Sequence, residues 1–101
     1  ISAEMLENLA KSEHHRWCAF HYSMGYSCMS DEVREKRAEM YKQDKSVRVT
    51  KDPQNKLHAC LIPWDDLDEL SDYENALTGR NVDYKQSDRD NIITVMKILN
   101  K

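Results

Sequence analysis

Residues 3–24 carry one unbroken helical pattern, and in a chain of 101 residues a helix of that length sets the architecture of everything else. Leu6, Ala10, Glu13, Trp17, Phe20 and Met24 recur at steps of three and four, so they share one stripe of a helix with period 3.6. Ser2 can cap its start, Glu4 complements the dipole of its first turn, and Gly25 suits the left-handed position that ends it. Five of the six stripe residues suit a core. Glu13 does not, because a buried carboxylate must find a partner or take up a proton. With His14 and Arg16 on its flanks, the stripe reads as a packing face that is also the edge of a pocket; the plainer reading is a half-exposed Glu13 paired to a neighbouring base.

The remaining elements follow in order. Ser30 or Asp31 caps a mostly charged second helix over 32–42, with acid–base pairs such as Glu32–Lys36 along it. Ser46-Val47-Arg48-Val49-Thr50 alternates and is β-branched, which predicts a strand; Asp52-Pro53-Gln54-Asn55 reads as a turn, and residues 57–62 as a second strand pairing back as a ribbon. Pro63 to Leu67 starts a helical turn, Ser71 with Glu74 makes a capping box for a short helix ending near Gly79, and Ser87 with Asp90 makes another ahead of Ile92, Val95, Met96 and Leu99. The last helix is expected over 88–100. The predicted fold is mainly α: a long N-terminal helix packed on the C-terminal helix, with short helices and a small β ribbon, all in a single domain over 1–101.

The net charge of −3 argues against general nucleic-acid binding, which favours basic domains. No apolar run is long enough to cross a bilayer and no signal-peptide pattern opens the chain. Cys18, Cys28 and Cys60 are an odd number at no familiar disulfide spacing, which points to a reducing, cytoplasmic setting. The chain opens on Ile1, so it is expected to be a domain excised from something longer. Its charge is uneven. Arg34, Lys36, Arg37, Lys42, Lys45, Arg48 and Lys51 crowd the 34–51 segment, while Asp65, Asp66, Asp68, Glu69, Asp72 and Glu74 occupy 65–74 without a base; each is either a solvated face or a protein-interaction surface.

Three chemistries are worth weighing. His14, Cys18 and His21, at i, i+4 and i+7, share a helix face and could chelate zinc, but no close Cys or His pair of the usual kind accompanies them; no metal or other cofactor is expected. Catalysis has little support: no G-x-S-x-G, no H-E-x-x-H and no phosphate-cradling glycine loop is present, and no catalytic residue is assigned. Ligand binding fares better. Trp17 lies beside Glu13 and Arg16, and Trp64 beside Asp65; flat aromatic faces near guanidinium groups suit a base with phosphates, for which Arg16, Lys85 and Arg89 are candidates. The alternative is that both tryptophans belong to the core.

Three blocks of residues resemble one known family. Leu9-Ala10, then His14-x-x-Trp17, then Gly25-Tyr26, resembles the opening of the RyR domain, the repeat named after ryanodine receptors. Leu61-Ile62-Pro63-Trp64-Asp65-Asp66-Leu67 is similar to that family's Leu-Val-Pro-aromatic-Asp run, and Lys85-x-x-Asp88-Arg89-Asp90 precedes an apolar helix as the family's last block does. The blocks fall in the family's order and cover most of the chain. Residues 27–55 are longer and more charged than that part of the family, so they look like an insertion; Tyr26 stands where Trp is frequent and Trp64 where Tyr is frequent.

The resemblance implies a mainly helical, non-enzymatic module. Prokaryotic versions stand alone or are appended to other domains, and they are suspected of sensing nucleotide-derived small molecules through a pocket at the His-x-x-Trp helix. Carried onto this chain, that points to His14, Trp17, Trp64 and Arg89, with Glu13 and Arg16 added because they share the helix turn of Trp17. The channel activity of the receptors does not carry over. Their repeats come in tandem, so a homodimer or a partner domain of the parent chain would be the counterpart here.

Overall fold

The computed structural model describes residues 1–100, and its architecture is mainly helical with one small sheet. The first helix, α1, is Ala3–Ser23, capped by the Ser2 hydroxyl, which accepts the Met5 amide at 3.0 Å, and closed at Gly25, whose φ of 88° is the left-handed value a glycine adopts without strain. Its 21 residues make a rod of about 31 Å. A short strand β1 (Ser27–Cys28) follows, then helix α2 (Asp31–Gln43), where the Ser30 hydroxyl accepts the Val33 amide and Glu32 pairs with Lys36 at 3.5 Å.

Strands β2 (Lys51–Asp52) and β3 (Leu57–His58) form the antiparallel ribbon, joined by the turn at Asp52-Pro53-Gln54-Asn55, where the Asp52 carboxylate accepts the Asn55 amide. β1 adds to the other side of β3 in parallel, giving the order β1-β3-β2. The expected strand over 46–50 is not formed: that segment turns and bends, and the regular strand begins at Lys51, preceded only by the bond from the Ala59 amide to the Thr50 carbonyl. Val49 and Thr50 are buried there, so their β-branched side chains fill the interior instead of a ladder. The second strand ends at His58 rather than Ile62, because Ala59, Cys60 and Leu61 turn inward and are all buried. Residues 27–55 also bring Met29 and Ala38 inside, so the charged segment contributes to the core.

A 3-10 turn at Trp64–Asp66 leads directly into helix α3 (Leu67–Thr78), which ends at Gly79 with φ 72°. Ser71 and Glu74 therefore lie inside α3 and do not cap it; both are buried, with Ser71 accepting the Tyr84 amide at 3.2 Å and Glu74 accepting the Tyr84 hydroxyl at 2.8 Å. The last helix, α4, is Tyr84–Leu99 and starts a turn earlier than expected, since Asp83 rather than Ser87 caps it by accepting the Gln86 amide at 3.0 Å.

α1 packs along α4, as the two apolar patterns predict. The faces differ from the expected stripes. On α1 the buried residues are Ala10, His14 and His21, whereas Phe20 is 53% exposed and Met24 39%. On α4, Ile92, Ile93 and Met96 are half-buried, whereas Val95 and Leu99 face out. The core joins Ala10 to Met29, Ala59, Cys60, Trp64, Leu67 and Leu70, with Trp17 and Tyr84 packed against it. No helix among the described residues is long and apolar enough to cross a membrane.

Candidate functional site

The inner face of α1 carries His14, Trp17 and His21 at helical spacing, so their rings stand one above another. The His14 ring stacks on Trp17 with centroids 5.9 Å apart and planes 15° from parallel, and His21 lies 3.9 Å from Trp17 on the next turn. His58 of β3 meets the indole edge-on at 4.8 Å, and Trp64 stands 6.3 Å from His14. Two parts of the chain far from α1 in sequence thus converge on its His14–Trp17 pair: β3 on Trp17, and the 3-10 turn on His14.

Each imidazole is fixed by a hydrogen bond that also sets its tautomer. His14 Nε2 lies 2.7 Å from the Ile62 carbonyl; a carbonyl only accepts, so Nε2 carries the hydrogen and donates. His14 Nδ1 then faces Asp88, 3.9 Å from Oδ2. His21 Nδ1 donates in the same way to the Trp17 carbonyl at 2.9 Å. His58 Nδ1 accepts the Cys60 amide at 3.1 Å, and burial, with the charges of His21, Lys51 and Arg48, holds this ring's pKa down to about 3. Burial also lifts the Asp88 carboxyl above the usual carboxylate range, against the pull of His14.

His14, Trp17, His58 and Asp88 border a cleft of about 260 Å3 between α1 and α4, reached also by Arg48 from the segment before β2 and by Tyr84, Ser87 and Asn91 of α4. Its walls offer apolar surface from Trp17, a carboxylate at Asp88, an amide at Asn91 and a guanidinium at Arg48. Such a mixture can hold a heterocycle with donors and acceptors at one side and an anionic group at the other.

Of the six residues expected at a site, His14 and Trp17 line this cleft. Glu13 and Arg16 pair with each other at 2.9 Å through Arg16 Nε, one turn along α1, and that pairing holds Glu13 below the usual carboxylate range. Trp64 is only 6% exposed and belongs to the core, with Lys85 and Arg89 covering its ring at 5.2 and 5.9 Å. Arg89 itself clamps Glu7 through two bonds of 2.7 and 2.6 Å, tying α4 to α1. Sequence reasoning missed Arg48, Tyr84, Asp88 and Asn91 as site residues. Tyr84, Asp88 and Asn91 stand at i, i+4 and i+7 on α4, a signal hidden because the helix was expected to begin at residue 88.

His14, Cys18 and His21 do not assemble into a metal site: Cys18 Sγ lies 3.4 Å from His14 Nε2, whose lone direction is already spent on Ile62. Among the described residues no three His, Cys, Asp or Glu side chains are placed together to hold a metal ion. No family model, curated protein or solved structure matches this chain.

Proposed function

We propose that this chain is a non-enzymatic ligand-binding module whose cleft beside Trp17 takes a nucleotide-derived small molecule. The observation that carries the reading is the cleft itself: a tryptophan, a largely buried carboxylate and a guanidinium with no carboxylate partner among the described residues face one space. The heterocycle would lie against Trp17, its ring donors directed to Asp88 and Asn91. Its phosphate would meet Arg48, since Arg16 and Arg89 are engaged by Glu13 and Glu7. The resemblance of the His14-x-x-Trp17 helix to the RyR domain supports the same assignment.

Binding is favoured over catalysis by the state of the reactive groups. His14 and His58 spend a ring nitrogen each on backbone partners, and His58 stays neutral near pH 7. All three thiols are pushed up, chiefly by burial, Cys60 to about 12, so none is a ready thiolate.

A thermal-shift screen against ADP-ribose, cyclic and linear adenine nucleotides and NAD tests the proposal. A ligand at a hundred times its dissociation constant adds about 2.7 kcal/mol, several degrees for a domain of this size. The shift should vanish in Arg48→Ala, whose side chain is exposed. Absence of any shift at millimolar concentration would overturn it and favour a second reading, a protein-interaction surface. That reading rests on Asp65, Asp66, Glu69 and Asp72, which are exposed and unpaired among the described residues, and it predicts partner binding that weakens steeply with salt. The basic 34–51 segment is a poorer candidate, because Arg34, Lys36, Arg37 and Lys42 are neutralised by Asp31, Glu32, Asp52 and Glu39.

A further inference from the structure

Arg48 and Tyr84 also border a second, larger cleft of about 470 Å3, whose other walls include Lys45, Glu74 and Arg80. Its cations are unusual in this molecule. Four of the six arginines are held by carboxylates: Arg16 by Glu13, Arg34 by Asp31, Arg37 by Asp52 and Arg89 by Glu7. The two that are not, among the described residues, are Arg48 and Arg80, and both line this cleft although 32 positions apart in sequence. Lys45 joins them without a carboxylate, its ammonium 4.4 Å above the Tyr41 ring. An acidic chain has thus left three cations uncompensated, among the described residues, around one space.

The interior of the cleft has the opposite character. Glu74 is only 6% exposed, and its Oε1 accepts the Tyr84 hydroxyl at 2.8 Å; Tyr84 in turn lies 3.3 Å from the Thr50 hydroxyl, which is 2% exposed. No protein donor among the described residues reaches Glu74 Oε2, and that atom is not sealed from the cleft. A buried carboxylate left with one partner calls for a further donor. A fully ionised oxyanion has no hydrogen to supply, and a cation would have to pass the arginines. The cleft therefore fits a molecule that is anionic at one end and donates hydrogen bonds at the other.

We propose that this second cleft binds a small phosphorylated polyol of the sugar-phosphate class. The phosphate sits among Arg48, Arg80 and Lys45, where guanidinium forks match its geometry, and sugar hydroxyls donate to Glu74. Arg48 and Tyr84 border both clefts, but Glu74 and Arg80 line this one and not the one beside Trp17, so variants at those two positions test this site separately from the nucleotide reading.

The test is a titration of the 15N-labelled chain, followed by amide chemical shifts, with glucose-6-phosphate, ribose-5-phosphate, inorganic phosphate and glucose. Both sugar phosphates should move the amides of residues 45–50 and 78–82. Arg80→Ala, at an exposed unpaired position, should weaken them about tenfold or more while the melting temperature holds. Glu74→Gln should weaken the sugar phosphates while leaving inorganic phosphate as it was. No shift from either sugar phosphate at millimolar concentration overturns the proposal. So does equal affinity for inorganic phosphate and the sugar phosphates, unchanged by Glu74→Gln, which would reduce the cleft to a general anion trap.

Discussion

His14 donates through Nε2 to the carbonyl of Ile62 at 2.7 Å, across 48 residues of sequence. The bond ties the middle of α1 to the segment that turns into the 3-10 helix, and the imidazole is only 3% exposed. An ordinary backbone group at Ile62 thereby gains its partner, and Trp17 gains a stacked neighbour, from a single side chain.

Replacing His14 by Ala should therefore cost about 3 kcal/mol, combining a cavity at the centre of the ring cluster with an orphaned buried carbonyl. Urea denaturation measures it directly. A loss under about 1 kcal/mol would mean that water takes over at Ile62 without difficulty.

His58 gives stability a pH dependence whose sign can be worked out. Its folded pKa of about 3 lies below the ordinary 6.5, so below pH 6.5 the unfolded chain takes up a proton that the folded one refuses. Stability is full above 6.5 and falls as the pH drops toward 3, with a slope of at most about 1.4 kcal/mol per pH unit. Glu7, Glu13, Asp44 and Asp52, whose carboxyls are held low, act only further down, and Asp88, whose carboxyl burial lifts, acts in the opposite sense, so the effect is isolated by comparing parent and variant between pH 6.5 and 5. His58→Asn should flatten the stability profile there. An equal slope in variant and parent would assign the titration elsewhere.

The thiols should differ in reactivity. Cys60 is 4% exposed with its pKa pushed to about 12, whereas Cys28 lies on the surface. Iodoacetamide on the native chain should label Cys28 first, Cys18 more slowly and Cys60 only on unfolding, as mass spectrometry of digests would show. Labelling of Cys60 at the rate of Cys28 would show that the core opens locally.

Legibility of the fold divides along the range of the interactions. The α1 boundaries were readable from Ser2 and Gly25, and the α2 start from Ser30, because a cap and the amide it satisfies are neighbours. The buried face of α1 was not. Two stripes a residue apart both fit a period of 3.6, and the one with Phe20 and Met24 looks the more apolar. The structure buries His14 and His21 instead, since the carbonyls of Ile62 and Trp17 satisfy them; the first of these partners is invisible from the helix sequence. Ser71 with Glu74 misled for the same reason: a serine and a glutamate three apart suit a local cap, but here both serve Tyr84 from inside a helix. At the candidate site, His14 and Trp17 came from the helix pattern, while Arg48 arrives through an irregular segment whose path only tertiary packing decides.

Gly79 ends α3 at φ 72°, and a β-carbon there would meet nothing within 4 Å. Gly79→Ala should thus carry a pure backbone cost of about 1 kcal/mol, with Gly79→Asn milder because asparagine tolerates the left-handed region. Thermal melts of the two variants check the order, and an alanine no worse than asparagine would contradict it.

The connection from α3 to α4 depends on one side chain. The Asn75 amide donates to the Val82 carbonyl at 2.8 Å, and its Oδ1 accepts the Val82 amide at 2.7 Å, so the loop is held as a strand partner would hold it. Val82 and Tyr84, two residues apart, both line the cleft that contains Glu74 and Arg80, and Tyr84 also lines the one beside Trp17. Asn75→Ala removes both bonds and should destabilise the fold by about 2 kcal/mol. Asn75→Asp keeps the acceptor for the Val82 amide but sets a carboxylate oxygen against the Val82 carbonyl, and it should be no better than alanine. Hydrogen exchange distinguishes local from global loss: the Val82 amide should lose protection in Asn75→Ala while the Ala59 amide, bonded to the Thr50 carbonyl at 2.8 Å, keeps most of its own. If Val82 stays protected in Asn75→Ala, the loop is held by its packing and not by the clamp.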